Sequence, residues 1–252
     1  MTPTDTYCGF EQGPIRPPSE AASLLLRVMR NCSWNHCTFC PVYKDLSFSR
    51  RPLAHVLRDI DAVYDSVQAI RAVRRDLGNP TFVQMQAHLA GQELDPAALA
   101  AAWHWLRHGA QNVFLQDANV LIVKPEDLLT ILNHLNQRFP RLQRLTCYAR
   151  SSTAARLPLK ALQALRQAGL SRVHIGLESG SDQVLRATRK GTTQAQQIKA
   201  GDVVQDGQGD GGVKDERRTT HDRSVQARPA GRGDVGDVEL GRNHPETPGL
   251  RA

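Results

Sequence analysis

The chain has 252 residues, 40% of them hydrophobic, and a formal net charge of +7, enough length to bury a sizeable core in one domain with or without an appendage. Residues 201–252 hold 8 Lys+Arg, 10 Asp+Glu, 10 Gly and no aromatic residue, so they carry −2 and the first 200 residues +9. No apolar run has the length of a membrane-spanning helix, and the positive charge lacks the dense Lys/Arg run with interleaved aromatics that would turn weak support for a nucleic-acid partner into a case.

Residues 1–20, with Gly13-Pro14 and Pro17-Pro18, read as an irregular leader because prolines withhold backbone donors, and Cys8 within it reads as an incidental thiol. The apolar run Ser23-Leu24-Leu25-Leu26-Arg27-Val28-Met29 predicts a strand buried on both faces. It ends at Arg30-Asn31-Cys32-Ser33-Trp34-Asn35-His36-Cys37-Thr38-Phe39-Cys40-Pro41, which holds three of the five cysteines. Spacings of four and then two residues let one loop bring Cys32, Cys37 and Cys40 to a single inorganic centre. A four-iron cluster normally takes four thiolates, so three leave one iron open to an exogenous ligand. The rival is zinc with His36 as fourth ligand, disfavoured because His36 adjoins Cys37. No basic segment followed by an apolar run marks an export signal, so the expectation is a cytoplasmic protein with reduced thiols.

From Ser49 the spacing of Leu53, Val56, Leu57, Ile60, Val63, Tyr64, Val67 and Ile70 predicts an amphipathic helix, and the segment from Gly78 through Gly91 gives no clear pattern. Asp95-Pro96 reads as the cap and first position of a helix to about Arg107. On it, His104 and His108 share a face as end decoration rather than as metal ligands. Asn112-Val113-Phe114-Leu115 predicts a second strand leading to Gln116-Asp117-Ala118-Asn119, and Pro125 starts the next helix. Leu142 to Tyr148 predicts a third strand that contains Cys147 and leads to Arg150. A helix over Leu159 to Gln167 precedes a fourth strand, Arg172 to Leu177, ending in Glu178-Ser179-Gly180-Ser181-Asp182. Four alternations of strand and helix predict an α/β fold, a partial TIM-like (β/α) barrel with parallel strands and right-handed crossovers. Its polar residues should collect at the carboxyl ends of the strands, on one rim.

Over roughly residues 20–200 the chain resembles the radical S-adenosylmethionine (SAM) enzymes. The resemblance rests on the cysteine loop after the first strand with aromatic Phe39 before its last cysteine, on Phe114 to Leu121 after the second strand, and on Gly176-Leu177-Glu178-Ser179-Gly180 with Lys190-Gly191-Thr192, which is similar to the fourth-strand segment of the elongator-type and coproporphyrinogen-type subgroup. Two departures are a four-and-two spacing where three-and-two is common, and Gln116-Asp117-Ala118 in place of Gly-Gly-Glu. The resemblance implies a 4Fe-4S cluster on Cys32, Cys37 and Cys40, SAM held by Phe39, Asp117, Asn119, Glu178 and Ser179, a 5′-deoxyadenosyl radical that abstracts hydrogen from an unknown substrate, and an electron donor such as flavodoxin or ferredoxin. It implies six strand–helix units where four are legible. Residues 21–200 are therefore expected to form an incomplete core with the edge of its fourth strand exposed, and 201–252 a disordered tail from a truncated or frameshifted reading frame. A noncatalytic cluster-binding relative and a zinc-binding interaction protein are the alternatives.

Overall fold

A computed structural model describes residues 6–206 and 235–239. Four parallel strands form its centre: β1 (Leu24–Arg27), β4 (Asn112–Gln116), β5 (Arg144–Ala149) and β6 (Leu170–Gly176), hydrogen-bonded in that order. Between β1 and β4 lie a two-residue ribbon, β2 (Met29–Arg30) with β3 (Ser49–Arg50), and three helices, α1 (Leu53–Leu77), α2 (Phe82–His88) and α3 (Pro96–Arg107). Helix α4 (Pro125–Arg138) joins β4 to β5, and α5 (Ser151–Ala154) and α6 (Leu159–Gln167) join β5 to β6. After β6 come α7 (Asp182–Ala187), α8 (Gln194–Asp206) and strand β7 (Val235–Glu239).

The alternation of strand side chains divides the sheet into two chemistries. Leu24, Leu26, Val113, Leu115, Leu145, Cys147, Val173 and Ile175 join the core shared with the helices. In α1 the buried positions Val56, Ile60, Val63, Val67, Ile70 and Val73 recur every three or four residues, the spacing that lays one apolar stripe on the sheet. Asp95 caps α3 by accepting from the N–H groups of Ala97 and Ala98, each at 2.9 Å, and the small residues Ala98, Ala101 and Ala102 bring α3 close against α1. On the other face, Phe114, Tyr148 and His174 pack edge to face at 5.0–5.8 Å between ring centroids.

That second face is where the leader lies. Gln116 accepts from Gly13 N at 2.8 Å and donates to Ile15 O at 2.5 Å, while Glu20, fully buried, accepts from Ser23 and sits 3.3 Å from both His174 Nε2 and Arg144 Nη2. The leader is irregular as expected, apart from a 3₁₀ turn at Pro18–Glu20, but on this face it is fastened to β4, β5 and β6.

Several boundaries differ from the sequence reading. Helix α1 starts at Leu53 because Ser49 and Arg50 pair antiparallel with Arg30 and Met29. The unclear stretch before Gly91 contains α2, capped reciprocally by Thr81 and Gln84. The edge of the fourth strand, expected to be exposed, is paired antiparallel by β7, in register from Arg172↔Glu239 to Gly176↔Val235. Residues 201–206 continue α8, and the rest of the expected disordered tail, 207–234 and 240–252, lies outside the described residues. An open strand edge is satisfied by backbone groups alone, so a pairing segment needs no apolar signature in its sequence.

Burial alone would raise the pKa of Glu20, but the hydrogen bonds from His174 and Ser23 and the charge of Arg144 outweigh it and hold the carboxyl below its ordinary value. A depressed folded-state pKa stabilises the fold fully above the unfolded value and progressively less as pH falls through the folded one. Glu20→Gln is therefore expected to lower stability at neutral pH by about 1–3 kcal/mol and to flatten the loss of stability below roughly pH 4.5, read from urea titrations at several pH values.

Candidate functional site

The carboxyl ends of β1, β4, β5 and β6 open onto one rim, and the β2–β3 ribbon closes the base of the 31–48 loop that contains the three cysteines. Cys32, Cys37 and Cys40 are free thiols of intermediate exposure. Three left-handed residues shape the loop, Asn31 at φ 67°, Asn35 at φ 47° and Asp45 at φ 63°, a conformation that asparagine and aspartate adopt more readily than most. Asn35 donates its backbone N–H to Cys32 Sγ at 3.4 Å and its side-chain amide to the Tyr43 and Leu46 carbonyls.

One anchor of the loop is Asp117. Its buried Oδ2 accepts from Arg27 Nε at 2.8 Å and from Asn31 N at 3.0 Å, directly before Cys32. The buried Tyr43 hydroxyl lies close by and stays protonated well above its ordinary pKa, first because of burial and then because of the Asp117 charge. Asn119, also buried, donates to Ser33 Oγ at 3.2 Å and Thr153 Oγ1 at 3.0 Å and accepts from Arg150 N at 3.0 Å. Both residues, expected to touch SAM, have hydrogen-bonding work inside the protein.

The loop is also clasped from the far side by the turn before α8. Trp34 Nε1 donates to Arg189 O at 2.7 Å and Thr38 N donates to Thr188 O at 3.0 Å. Arg150 stacks its guanidinium 4.6 Å from the Trp34 ring centre and donates to the carbonyls of Lys190 and Gly191 at 2.7 and 3.0 Å. Gly191 has φ 67°, and a methyl group there would overlap the Trp34 ring, so only glycine fits this approach.

Lys190 joins the predicted residues of the fourth-strand segment to the cysteine loop. Its ammonium pairs with Glu178 and lies 5.9 Å from the ring centre of half-exposed Phe39. Burial pushes the Cys37 thiol pKa up, while Lys190 and Arg150 pull it down. The structure thus gathers Cys32, Cys37, Phe39 and Glu178 around Lys190 and Arg150. Ser179 instead closes its own turn, its hydroxyl accepting from Ser181 N at 3.1 Å. Arg27, Asn31, Tyr43 and Trp34 were not legible as site residues, because their roles depend on partners up to 155 residues away.

Among the described residues no group of three or more His, Cys, Asp or Glu side chains is arranged to hold a metal ion. The donor set nevertheless suits a cluster held by three thiolates: three unpaired thiols in one irregular loop, with a backbone N–H already directed at one sulfur and two cations flanking another. His36 is exposed and packs edge to face on Trp34 at 5.0 Å. The His104 and His108 rings lie tilted at 43° with centroids 4.4 Å apart at the end of α3, with His104 Nε2 3.0 Å from Ala21 O.

The structure thus places a three-thiol loop on the carboxyl rim of a parallel α/β sheet. The Radical SAM superfamily profile matches residues 26–214, and the chain belongs to that superfamily, of which an iron–sulfur cluster and SAM are general features. No curated protein gives a significant match. Among solved structures the chain is similar to the cobalamin-dependent S-adenosylmethionine radical enzyme OxsB with aqua-cobalamin and S-adenosylmethionine bound, at 21% identity and TM-score 0.40, and to the same enzyme with aqua-cobalamin bound, at 19% and 0.42. Each alignment covers 71% of this chain and 21% of that one, so the chain spans about a fifth of the length of those structures.

The clasp yields a prediction. Gly191→Ala is expected to push the Trp34 ring off the turn, increasing acrylamide quenching of tryptophan emission at a stability cost of about 1 kcal/mol. Trp103 and Trp105 are buried, so the change reports on Trp34, and unchanged quenching would show that the close approach is not kept in solution.

Proposed function

We propose that this chain holds a 4Fe-4S cluster on Cys32, Cys37 and Cys40 and binds SAM beside it, as part of a radical enzyme acting on a substrate whose identity the rim does not specify. The observation that carries the reading is the set of three free thiols in one loop, docked through Trp34 and Lys190 against the segment containing Glu178. When bound, the cluster supplies the electron that splits SAM into methionine and a 5′-deoxyadenosyl radical, the hydrogen-abstracting species. The electron comes from a donor such as flavodoxin or ferredoxin.

The chain's own groups then have distinct tasks. Asn119 and Arg150 hold the loop to the exit of β5. Glu178 and Lys190, paired at the rim with side chains 23% and 11% exposed, offer one carboxylate and one ammonium to a zwitterionic amino-acid moiety such as that of SAM, through charge-assisted hydrogen bonds. Phe39 supplies an apolar wall next to them.

Replacing Cys32, Cys37 and Cys40 together by Ala should abolish iron and sulfide uptake on anaerobic reconstitution, while Cys8→Ala should retain it, and retained iron in the triple variant would overturn the cluster assignment. Glu178→Gln should leave iron content unchanged and weaken SAM binding by about tenfold, the loss of one charged hydrogen bond, measured by calorimetric titration of the reconstituted protein.

A further inference from the structure

The leader has a closer connection to the cysteine loop than its composition indicates. Asp117 Oδ2 is committed to Arg27 and Asn31, whereas its buried Oδ1 makes no hydrogen bond of good geometry among the described residues and faces Gly13. The space between them is so small that a methyl group on Gly13 would overlap Oδ1. Gly13 is itself held in place, with its N–H on Gln116 Oε1 at 2.8 Å and its carbonyl 3.3 Å from Gln116 Nε2. Nearby, Glu11 accepts from Arg30 Nε at 2.8 Å and lies within ion-pair range of Arg27 and Arg51.

We infer that residues 11–15 of the leader are a positioning element for the cysteine loop, acting through Asp117: Gly13 backs the carboxylate, and the carboxylate fixes Asn31 and with it the start of the loop at Cys32. A carboxylate with one oxygen against an immobilised backbone cannot rotate or retreat, so the Asn31 N–H meets its acceptor in one place. The inference goes beyond the cluster assignment, rests on it only for calling the loop a cofactor loop, and has a readout that does not require iron.

The test is a double-mutant cycle in the full-length chain, Gly13→Ala and Asp117→Ala singly and together, with Gly201→Ala as control because a methyl group there meets nothing within 4 Å. The rate at which maleimide alkylates Cys32 in the iron-free chain is followed by peptide mass spectrometry. Alkylation of fully buried Cys147 reports global unfolding, and loss of iron to a chelator is followed in the reconstituted chain. Gly13→Ala should raise the Cys32 rate by about fivefold, as expected when one local constraint is lost, and should raise the rate of iron loss by a similar factor. Cys147 should remain protected, Gly201→Ala should match wild type, and Gly13→Ala should add nothing once Asp117 is Ala, since contacting residues are non-additive. A Cys32 rate unchanged in Gly13→Ala would overturn the inference, as would full additivity with Asp117→Ala. If Asp117→Ala deprotects Cys147, Asp117→Ser takes its place in the cycle under the same criteria. A wild-type chain that takes up no iron would refute the cluster assignment and leave the alkylation cycle as the test of this one.

Discussion

The rim of this protein depends on a buried carboxylate. Asp117 leaves β4 into a fully enclosed position where it meets the guanidinium of Arg27 from the end of β1 and the backbone of Asn31 from the start of the cysteine loop. Desolvating a carboxylate costs several kcal/mol, which a single ion pair does not reliably repay, so the arrangement is better understood through geometry than through stability. The carboxylate fixes where the first strand ends and where the loop begins, and it does so from the neighbouring parallel strand, whose register with β1 is set by the apolar core.

The groups beneath the loop extend the same principle. Arg51 donates to the Arg27 carbonyl at 2.7 Å and pairs with buried Asp59 of α1, while Glu11 answers Arg30. Burial raises the pKa of Asp59, opposed by the hydrogen bond and charge of Arg51. Glu11, Asp59 and Asp117 therefore stand against Arg27, Arg30 and Arg51 at the base of the loop. Opposite charges so interleaved tie the leader, β1, β2, the exit of β4 and α1 into one unit, and each group constrains the positions available to its neighbours.

Much of the architecture was legible in the sequence because burial imposes periodicity. The runs around Leu24, Val113, Leu145 and Val173 announced the four parallel strands, and the three-to-four spacing in α1 announced its helix. Caps were equally legible where chemistry is local, as with Asp95-Pro96 and Pro125. The two-residue ribbon β2–β3, α2, α5 and α7 were missed, since elements of two to seven residues carry too little pattern to distinguish them from loop. At the site, Cys32, Cys37 and Cys40 could be singled out because residue type and spacing suggest their chemistry, and Phe39 and Glu178 because their segments resemble those of the radical SAM enzymes. Arg27, Asn31 and Trp34 could not, and Arg150 could be placed on the rim without its partners, because an arginine or tryptophan in a linear sequence does not reveal which distant carbonyl or carboxylate it will meet.

Asp117 and Asn119 illustrate the remaining gap. Polar residues just past a strand's carboxyl end suggest ligand contacts, yet here one turns beneath the cysteine loop and the other bridges the loop to the exit of β5. Position on the rim identified the right neighbourhood without saying which way a side chain faces. The direction follows from whether a hydrogen-bond partner lies within reach below the rim, and for both residues the loop supplies one: the Asn31 N–H, from which Asp117 accepts, and the Ser33 hydroxyl oxygen, to which Asn119 donates. A residue that holds the loop from beneath leaves the upper surface to half-exposed Phe39 and the Glu178 carboxylate, to which the largely buried Lys190 ammonium is paired. The two layers divide the work, with the buried one anchoring the start of the cysteine loop and the outer one placing a paired carboxylate and ammonium beside Phe39.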